Sequence, residues 1–281
     1  MTWSERLGTV GVWRSIGAVQ AELAVEIERI GYGTIWLGGS PTSDLGRVEI
    51  LLDGTRSIMF ATGVVNIWKS DPAELADAFW RIERRHPGRL LLGIGTGHRE
   101  ATPERVRPLD AMERYLDVLD AAGVPKDRLV ISALGPRMIA LAAARSAGTH
   151  PYLTIPSQTR EARMALGASA LVAPEQTVVL DTDEGSAWRS ARAFLRAYLG
   201  MANYLNTMRR GGFSDEDVAD GGSDRLVDAI VRHGDAASLA AAVGEHLDAG
   251  ADHVCVQVVP AAVDPVPALR EIADALALAR S

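Results

Sequence analysis

The 281-residue chain has one cysteine, two lysines and no apolar run long enough to cross a bilayer. Each shortage argues against a class of protein. A single thiol, Cys255, cannot make an internal disulfide, which fits a reducing, cytoplasmic setting. It lies in the apolar run 253–259, where a thiol is expected to be a small buried hydrophobe and not a nucleophile. Stretches such as 90–94 fall far short of the roughly 20 residues a membrane helix needs. The N-terminus carries Glu5 and Arg6 without an apolar core after a basic start, so no signal peptide is expected. A net charge of −7 at pH 7 supplies no basic face for phosphate backbones, which argues against a nucleic-acid partner. Only Lys69 and Lys126 break an otherwise all-arginine basic set. With abundant Ala and Gly, that bias points to a GC-rich genome.

Familiar catalytic signatures are missing too. Gly93, Gly95 and Gly97 invite a dinucleotide reading, but the final glycine of G-x-G-x-x-G would fall where His98 stands. Neither lysine follows a glycine, which removes a P-loop, and no serine sits in G-x-S-x-G. The six histidines show no paired spacing, so no protein metal site is expected. A chain without metal cluster, nucleophile elbow or activated lysine is expected to borrow its chemistry from a cofactor.

What is present is alternation. Hydrophobic residues make up 47% of the chain and charged residues 23%, values of a globular protein. Short apolar, β-branched runs bounded by Gly or Pro recur at 9–13, 34–37, 58–67, 90–95, 129–133, 150–155, 177–180 and 253–259, as for strands buried on both faces. Helical stripes lie between them: Val19, Leu23, Ile27 and Ile30, then Leu75, Phe79 and Ile82 behind Asp71 as N-cap and Pro72 at N1. Leu109, Met112, Leu116 and Leu119 form a third, and Leu269, Ile272 and Leu276 a last. Eight strands alternating with helices predict a single α/β domain over 1–281, a (β/α)8 TIM barrel, with a doubly wound sheet as the alternative. The glycine-rich segment 200–222 breaks the rhythm after strand seven. It is either an insertion serving as lid or interface, or an ordinary helical hairpin.

Barrel active sites form at strand C-termini. Those ends supply Trp13, Gly38-Gly39-Ser40, Val64 to Trp68 with Asn66, Thr96-Gly97-His98, Gly135-Pro136-Arg137, Thr154 and Gln257. The rim is aromatic, glycine-rich and mostly uncharged, which suits a flat heterocycle approached by backbone. Gly135 as N-cap and Pro136 at N1, with Arg137 beside them, mark either an anion site or a plain helix start. Trp13, Trp36 and Trp68 serve either a substrate pocket or packing.

At these residues the chain resembles the luciferase-like monooxygenase superfamily, and more narrowly its coenzyme F420-dependent oxidoreductases. The shared segments are ERIGYGTIWL (28–37), ATGVVN (61–66), RLLLGIGTG (89–97) and GPRM (135–138), in family order. The resemblance implies a bacterial-luciferase-like barrel, a homodimer, with a deazaflavin (coenzyme F420) or FMN ring at the strand C-termini. It implies a bulge at Thr62-Gly63-Val64 with a non-prolyl cis peptide behind the ring. Ser40, Thr96 and Gly97 would line the ring, and Thr154 would contact the phosphate. His98 falls where some relatives carry an acidic catalytic residue. After strand two many relatives carry Asp-His where this chain has Gly39-Ser40, and Ile155-Pro156-Ser157 replaces basic residues found after Thr154 in some. The expected activity is hydride transfer to or from a small organic substrate. The rivals are an FMN-dependent monooxygenase, and a cofactor-free barrel that binds or isomerises a phosphorylated metabolite at Gly135–Arg137.

Overall fold

The computed structural model describes residues 2–97 and 107–279. Its strands are β1 (Val10–Ser15), β2 (Thr34–Gly38), β3 (Met59–Thr62), β4 (Val65–Asn66), β5 (Leu90–Gly95), β6 (Leu129–Ile131), β7 (Gly148–Thr149), β8 (Leu171–Val172), β9 (Glu175–Leu180), β10 (Val231–Gly234) and β11 (Val254–Val258). Every paired neighbour is parallel. The third barrel strand is β3 continued by β4, and the seventh is β8 continued by β9 across Pro174. That seventh strand closes the sheet. On one side the Leu171 and Ala173 amides donate to Ala147 O and Thr149 O; on the other Asp252 N and Cys255 N donate to Val172 O and Pro174 O. A closed parallel barrel follows, and the doubly wound alternative is gone.

Alternation along the strands sorts the core. Ile35, Leu37, Phe60, Leu90, Leu92, Leu129, Ile131, Val254 and Val256 belong to the large cluster between sheet and helices. Their neighbours Trp36, Ala61, Leu91, Val130 and Cys255 form a second cluster inside the barrel. Period-two side chains on a sheet buried on both faces produce this division. Cys255 is fully buried, and burial raises its thiol well above the ordinary range, as a core residue requires.

The helices are α1 (Trp3–Leu7), α2 (Ala21–Ile30), α3 (Gly46–Gly54), α4 (Pro72–Arg85), α5 (Pro108–Ala121), α6 (Pro136–Arg145), α7 (Pro156–Leu166), α8 (Glu184–Arg196), α9 (Ala202–Arg210), α10 (Asp215–Val218), α11 (Asp224–Ile230), α12 (Ala236–Asp248) and α13 (Val266–Ala275). Helix α4 starts as its sequence dictates. The Asp71 carboxylate accepts from Ala73 N and Glu74 N, Pro72 takes N1, and Leu75, Phe79 and Ile82 are buried. Among the described residues no helix is long and apolar enough to cross a membrane.

Two sequence expectations need correction. The sixth strand is Gly148–Thr149, not 150–155. Its apolar character misled: Tyr152 and Leu153 are buried against α8, α9 and α11, not in the sheet. Leu153 even takes a left-handed φ of 55°, outside any strand. The insertion after strand seven also runs past 222, through α11 into β10, which pairs with β9 from Val231↔Thr177 to Gly234↔Leu180. Val231-Arg232-His233-Gly234 has no apolar run to announce a strand.

Candidate functional site

The exits of β1 to β5 are built around glycines. Trp13, from β1, donates its indole N–H to Gly63 O at 3.2 Å. Its ring fills the space a side chain at Gly38 would need. The Gly63–Val64 peptide is cis, where the family resemblance puts it. Thr62 Oγ1 donates to Gly93 O and accepts from Gly93 N, both at 2.7 Å, so its hydroxyl is committed to the sheet. Val64 lies over Gly95, and Asn66 over Gly97, whose φ is 55°. The Asn66 carboxamide accepts from Trp68 N, and the Trp68 indole donates to Thr96 O at 2.7 Å. Asn66, Trp68, Thr96 and Gly97 are therefore one packed unit. Ser40 is exposed beside Gly39 with φ 57°.

From β7 to β11 the material changes to hydroxyls and buried ionisable groups. Tyr152 donates to Gln257 Oε1 at 2.8 Å, and its oxygen lies 3.0 Å from the Tyr198 hydroxyl. Glu175 is 1% exposed; it accepts from Thr177 Oγ1 at 2.5 Å and from Leu153 N at 3.4 Å. Burial pushes its carboxyl up to about 8, so it holds its proton at neutral pH. Burial likewise raises Tyr152, Tyr198 and Tyr204. Thr154 is 6% exposed, and its Oγ1 is buried without a partner among the described residues. Gly135 caps α6 with Pro136 at N1, open space surrounds a side chain placed at Gly135, and Arg137 is exposed. Helix α9 docks beside this end: Arg210 donates to Leu134 O at 2.9 Å, and Gln158 to Thr207 O at 2.8 Å.

Beneath the mouth runs a chain of aromatic rings. His253 Nδ1 lies 2.7 Å from Gly8 O, and its Nε2 accepts from the Trp36 indole at 2.9 Å. Trp36 stacks on His150, centroids 4.0 Å apart. Burial pushes both imidazoles down to about 4. His150 Nδ1 is 2.8 Å from Ala173 O, which can only accept, so the proton sits on Nδ1 and Nε2 is a bare lone pair. That Nε2 has no partner among the described residues and lies close to Gly63. Trp36 thus packs the interior, fully buried.

A cavity of about 330 Å³ lies between the exits of β1 and β11 and helix α8, lined by Trp13, Ala193, Phe194, Tyr198, Gln257 and Val258 among others. Trp13 is the one residue of the expected pocket on its wall; Asn66 and Trp68 hold the β5 exit instead. His98 lies outside the described residues. Sequence reasoning missed His150, Tyr152, Glu175 and Tyr198. Two signals existed: an acid at the head of an apolar strand, and a histidine directly after one. Among the described residues no group of three or more His, Cys, Asp or Glu is placed to hold a metal ion.

A family model described as luciferase-like monooxygenase matches residues 17–253. The chain belongs to the luciferase-like monooxygenase family. No curated protein matches it by sequence. Among solved structures this family member is similar to an F420-dependent secondary alcohol dehydrogenase in complex with an F420-acetone adduct, at 14% identity and TM-score 0.76 over 97% of this chain and 99% of that one. It is similar to the coenzyme F420-dependent tetrahydromethanopterin reductase from Methanopyrus kandleri, at 16% and 0.76 over 96% and 98%. A third is the FMN-bound oxygenating constituent of 3,6-diketocamphane monooxygenase from Pseudomonas putida, at 14% and 0.69 over 96% of each chain. At such identities the likeness is one of fold. The luciferase-like barrel accounts for the placing of the mouth; the residues in it must argue for themselves.

Proposed function

We propose that this luciferase-like protein is a coenzyme F420-dependent oxidoreductase that moves a hydride to or from a small organic substrate. The observation that carries the reading is the unpartnered Thr154 hydroxyl on a rim that also offers the α6 N-terminus at Gly135. A buried donor without a partner costs about 1–3 kcal/mol, and a helix N-terminus favours an anion. Together they fit the phosphate of a ring-bearing cofactor. Gly39 and Ser40 are exposed at the exit of β2, where a flat ring system can approach the backbone, and the side chains of Val64 and Asn66 lie over Gly95 and Gly97. The residues present therefore fit a deazaflavin or a flavin. When bound, such a group supplies the hydride acceptor or donor.

The chain's own residues supply the rest. Trp13 fixes the Gly63 carbonyl, Val64 covers Gly95, and the Trp68 indole holds the Thr96 carbonyl, so the rim is rigid before anything binds. Thr154, Gly135 and Arg137 hold the phosphate end. His98 is assigned proton transfer, since its unperturbed pKa suits that role. F420 is preferred to FMN on the motif likeness and the GC-rich composition. Two of the three fold neighbours above, both at TM-score 0.76, are named as F420-dependent. Fluorescence titration of the purified chain with F420 and with FMN tests this. F420 should bind at least tenfold tighter. Equal or tighter FMN binding transfers the reading to a flavin monooxygenase. Affinity for neither leaves the barrel acting on a phosphorylated metabolite at Gly135–Arg137.

A further inference from the structure

The cavity beside Trp13 is apolar on most of its wall. Trp13, Phe194, Ala193, Ala197 and Val258 form that wall, and its volume of about 330 Å³ is at the small end of ligand pockets. Arg14 also reaches it: its Nη2 donates to Ala261 O at 3.0 Å, while its Nε is buried without a partner among the described residues. Ser15, Tyr198 and Gln257 supply the other polar groups on the wall.

Proton bookkeeping decides what Tyr198 and Gln257 present. Tyr152 has one hydroxyl proton and donates it to Gln257 Oε1. The 3.0 Å contact between Tyr152 and Tyr198 must then use the Tyr198 proton. Both phenols are spent within the chain Tyr198→Tyr152→Gln257, and the carboxamide oxygen is saturated on that side. The amide nitrogen of Gln257 makes no hydrogen bond among the described residues, and Gln257 lines the cavity. Burial holds both tyrosines protonated, so the relay keeps its direction across ordinary pH. A pocket with mostly apolar walls and unpaired N–H donors, the Gln257 amide and Arg14 Nε, selects an acceptor atom and rejects its apolar isostere.

We propose that this cavity is the substrate pocket, that it takes a compact uncharged molecule with one acceptor oxygen (a ketone or the matching alcohol), and that Gln257 determines this specificity. Tyr152 and Tyr198 are positioning residues that act through the Gln257 carboxamide. That the bound molecule is a redox substrate rests on the oxidoreductase reading above; the recognition itself does not.

The test is ligand-observed NMR binding on the full chain, with and without F420, using cyclohexanone, methylenecyclohexane and cyclohexanecarboxylate. Cyclohexanone should bind about tenfold tighter than the alkene, the usual cost of leaving a buried donor unpaired. Gln257→Leu should bind the alkene as well as the native chain does and lose the ketone preference. Tyr152→Phe keeps the ring but frees the carboxamide, and should reduce the preference at least threefold; it is the second variant should Gln257→Leu fold poorly. Equal binding of ketone and alkene overturns the proposal. So does tightest binding of the carboxylate, which would hand recognition to Arg14, or a preference that survives in both variants. If F420 fails to bind while the ketone preference stands, the oxidoreductase reading falls and the recognition holds.

Discussion

Across the barrel mouth, the exits of β1 to β5 end in Gly38, Gly39, Gly63, Gly95 and Gly97, whereas β7 to β11 carry Tyr152, Thr154, Glu175, Thr177 and Gln257. In the first half the glycines make room for side chains of neighbouring strands. Its side chains, Trp13, Val64, Asn66 and Trp68, fold back over neighbouring glycines or carbonyls. The second half holds hydroxyls, amides and a protonated carboxyl in low-dielectric surroundings. Glycine permits close approach of a flat ligand, whereas buried polar networks give directional recognition when each member is satisfied. One side of this mouth is therefore built to be covered, and the other to discriminate.

The severest test of the glycine half is Gly38→Ala. A methyl there overlaps the Trp13 ring, so the indole must leave and its bond to Gly63 is lost. Stability should fall by about 3 kcal/mol, in the range for overpacking, and cofactor affinity by ~10²-fold. Denaturant unfolding and titration measure both, and tolerance of the methyl would show that Trp13 does not set the rim. His98→Ala should slow turnover by ~10²-fold, the range for losing a general acid or base, with cofactor affinity little changed. Near-native turnover would return proton transfer to the hydroxyl half.

Glu175→Gln probes that second half through pH. The Glu175 carboxyl is pushed up to about 8 by burial, against an ordinary carboxylate value near 4.5. Its contribution to stability is fully present below about pH 4.5 and is lost as pH rises through about 8. Buried His150, His246 and His253, each pushed down to about 4, act in the opposite sense. They stabilise above about pH 6.5 and lose that contribution as pH falls through about 4. The native chain therefore shows a partly cancelled profile, and the difference between variant and native isolates Glu175. That difference should grow in favour of Glu175→Gln by ~2 kcal/mol between about pH 6 and pH 7.5, from one proton at ~1.4 kcal/mol per pH unit. A flat difference would mean that Glu175 ionises freely in the folded protein.

The two halves also differ in how far the sequence reveals them. Glycine punctuation after apolar runs marks the exits of β2, β3 and β5 directly, and Gly135-Pro136 marks the start of α6. Barrel architecture followed from the same alternation. The polar half is written in long-range contacts. Tyr152 meets Tyr198 across 46 positions and Gln257 across 105, and one sequence carries no trace of such pairings. Strand periodicity also left the facing of β9 undetermined: Gln176 turns outward to His246, while Glu175 turns to Thr177 and Leu153. The run 150–155 looked like a strand because burial under the insertion imitates burial in a sheet.

The smallest expected effect, and the sharpest on the comparison, is Thr154→Val. Valine keeps the shape of threonine and removes only the hydroxyl. Since Thr154 Oγ1 is buried and bonded to none of the described residues, its loss should leave the folded chain unharmed or stabilise it by up to ~1 kcal/mol, because an unsatisfied buried group no longer needs to be desolvated. Cofactor binding should move the other way. A hydrogen bond to a charged phosphate contributes about 1.5–3 kcal/mol, so F420 affinity should drop by about tenfold or more. The opposite signs are the point, because a residue that merely packs would lower both or neither. Unfolding curves and F420 titrations on the same two proteins decide it. Unchanged affinity would mean that the phosphate end sits elsewhere on the rim, and that the hydroxyl half serves the substrate alone.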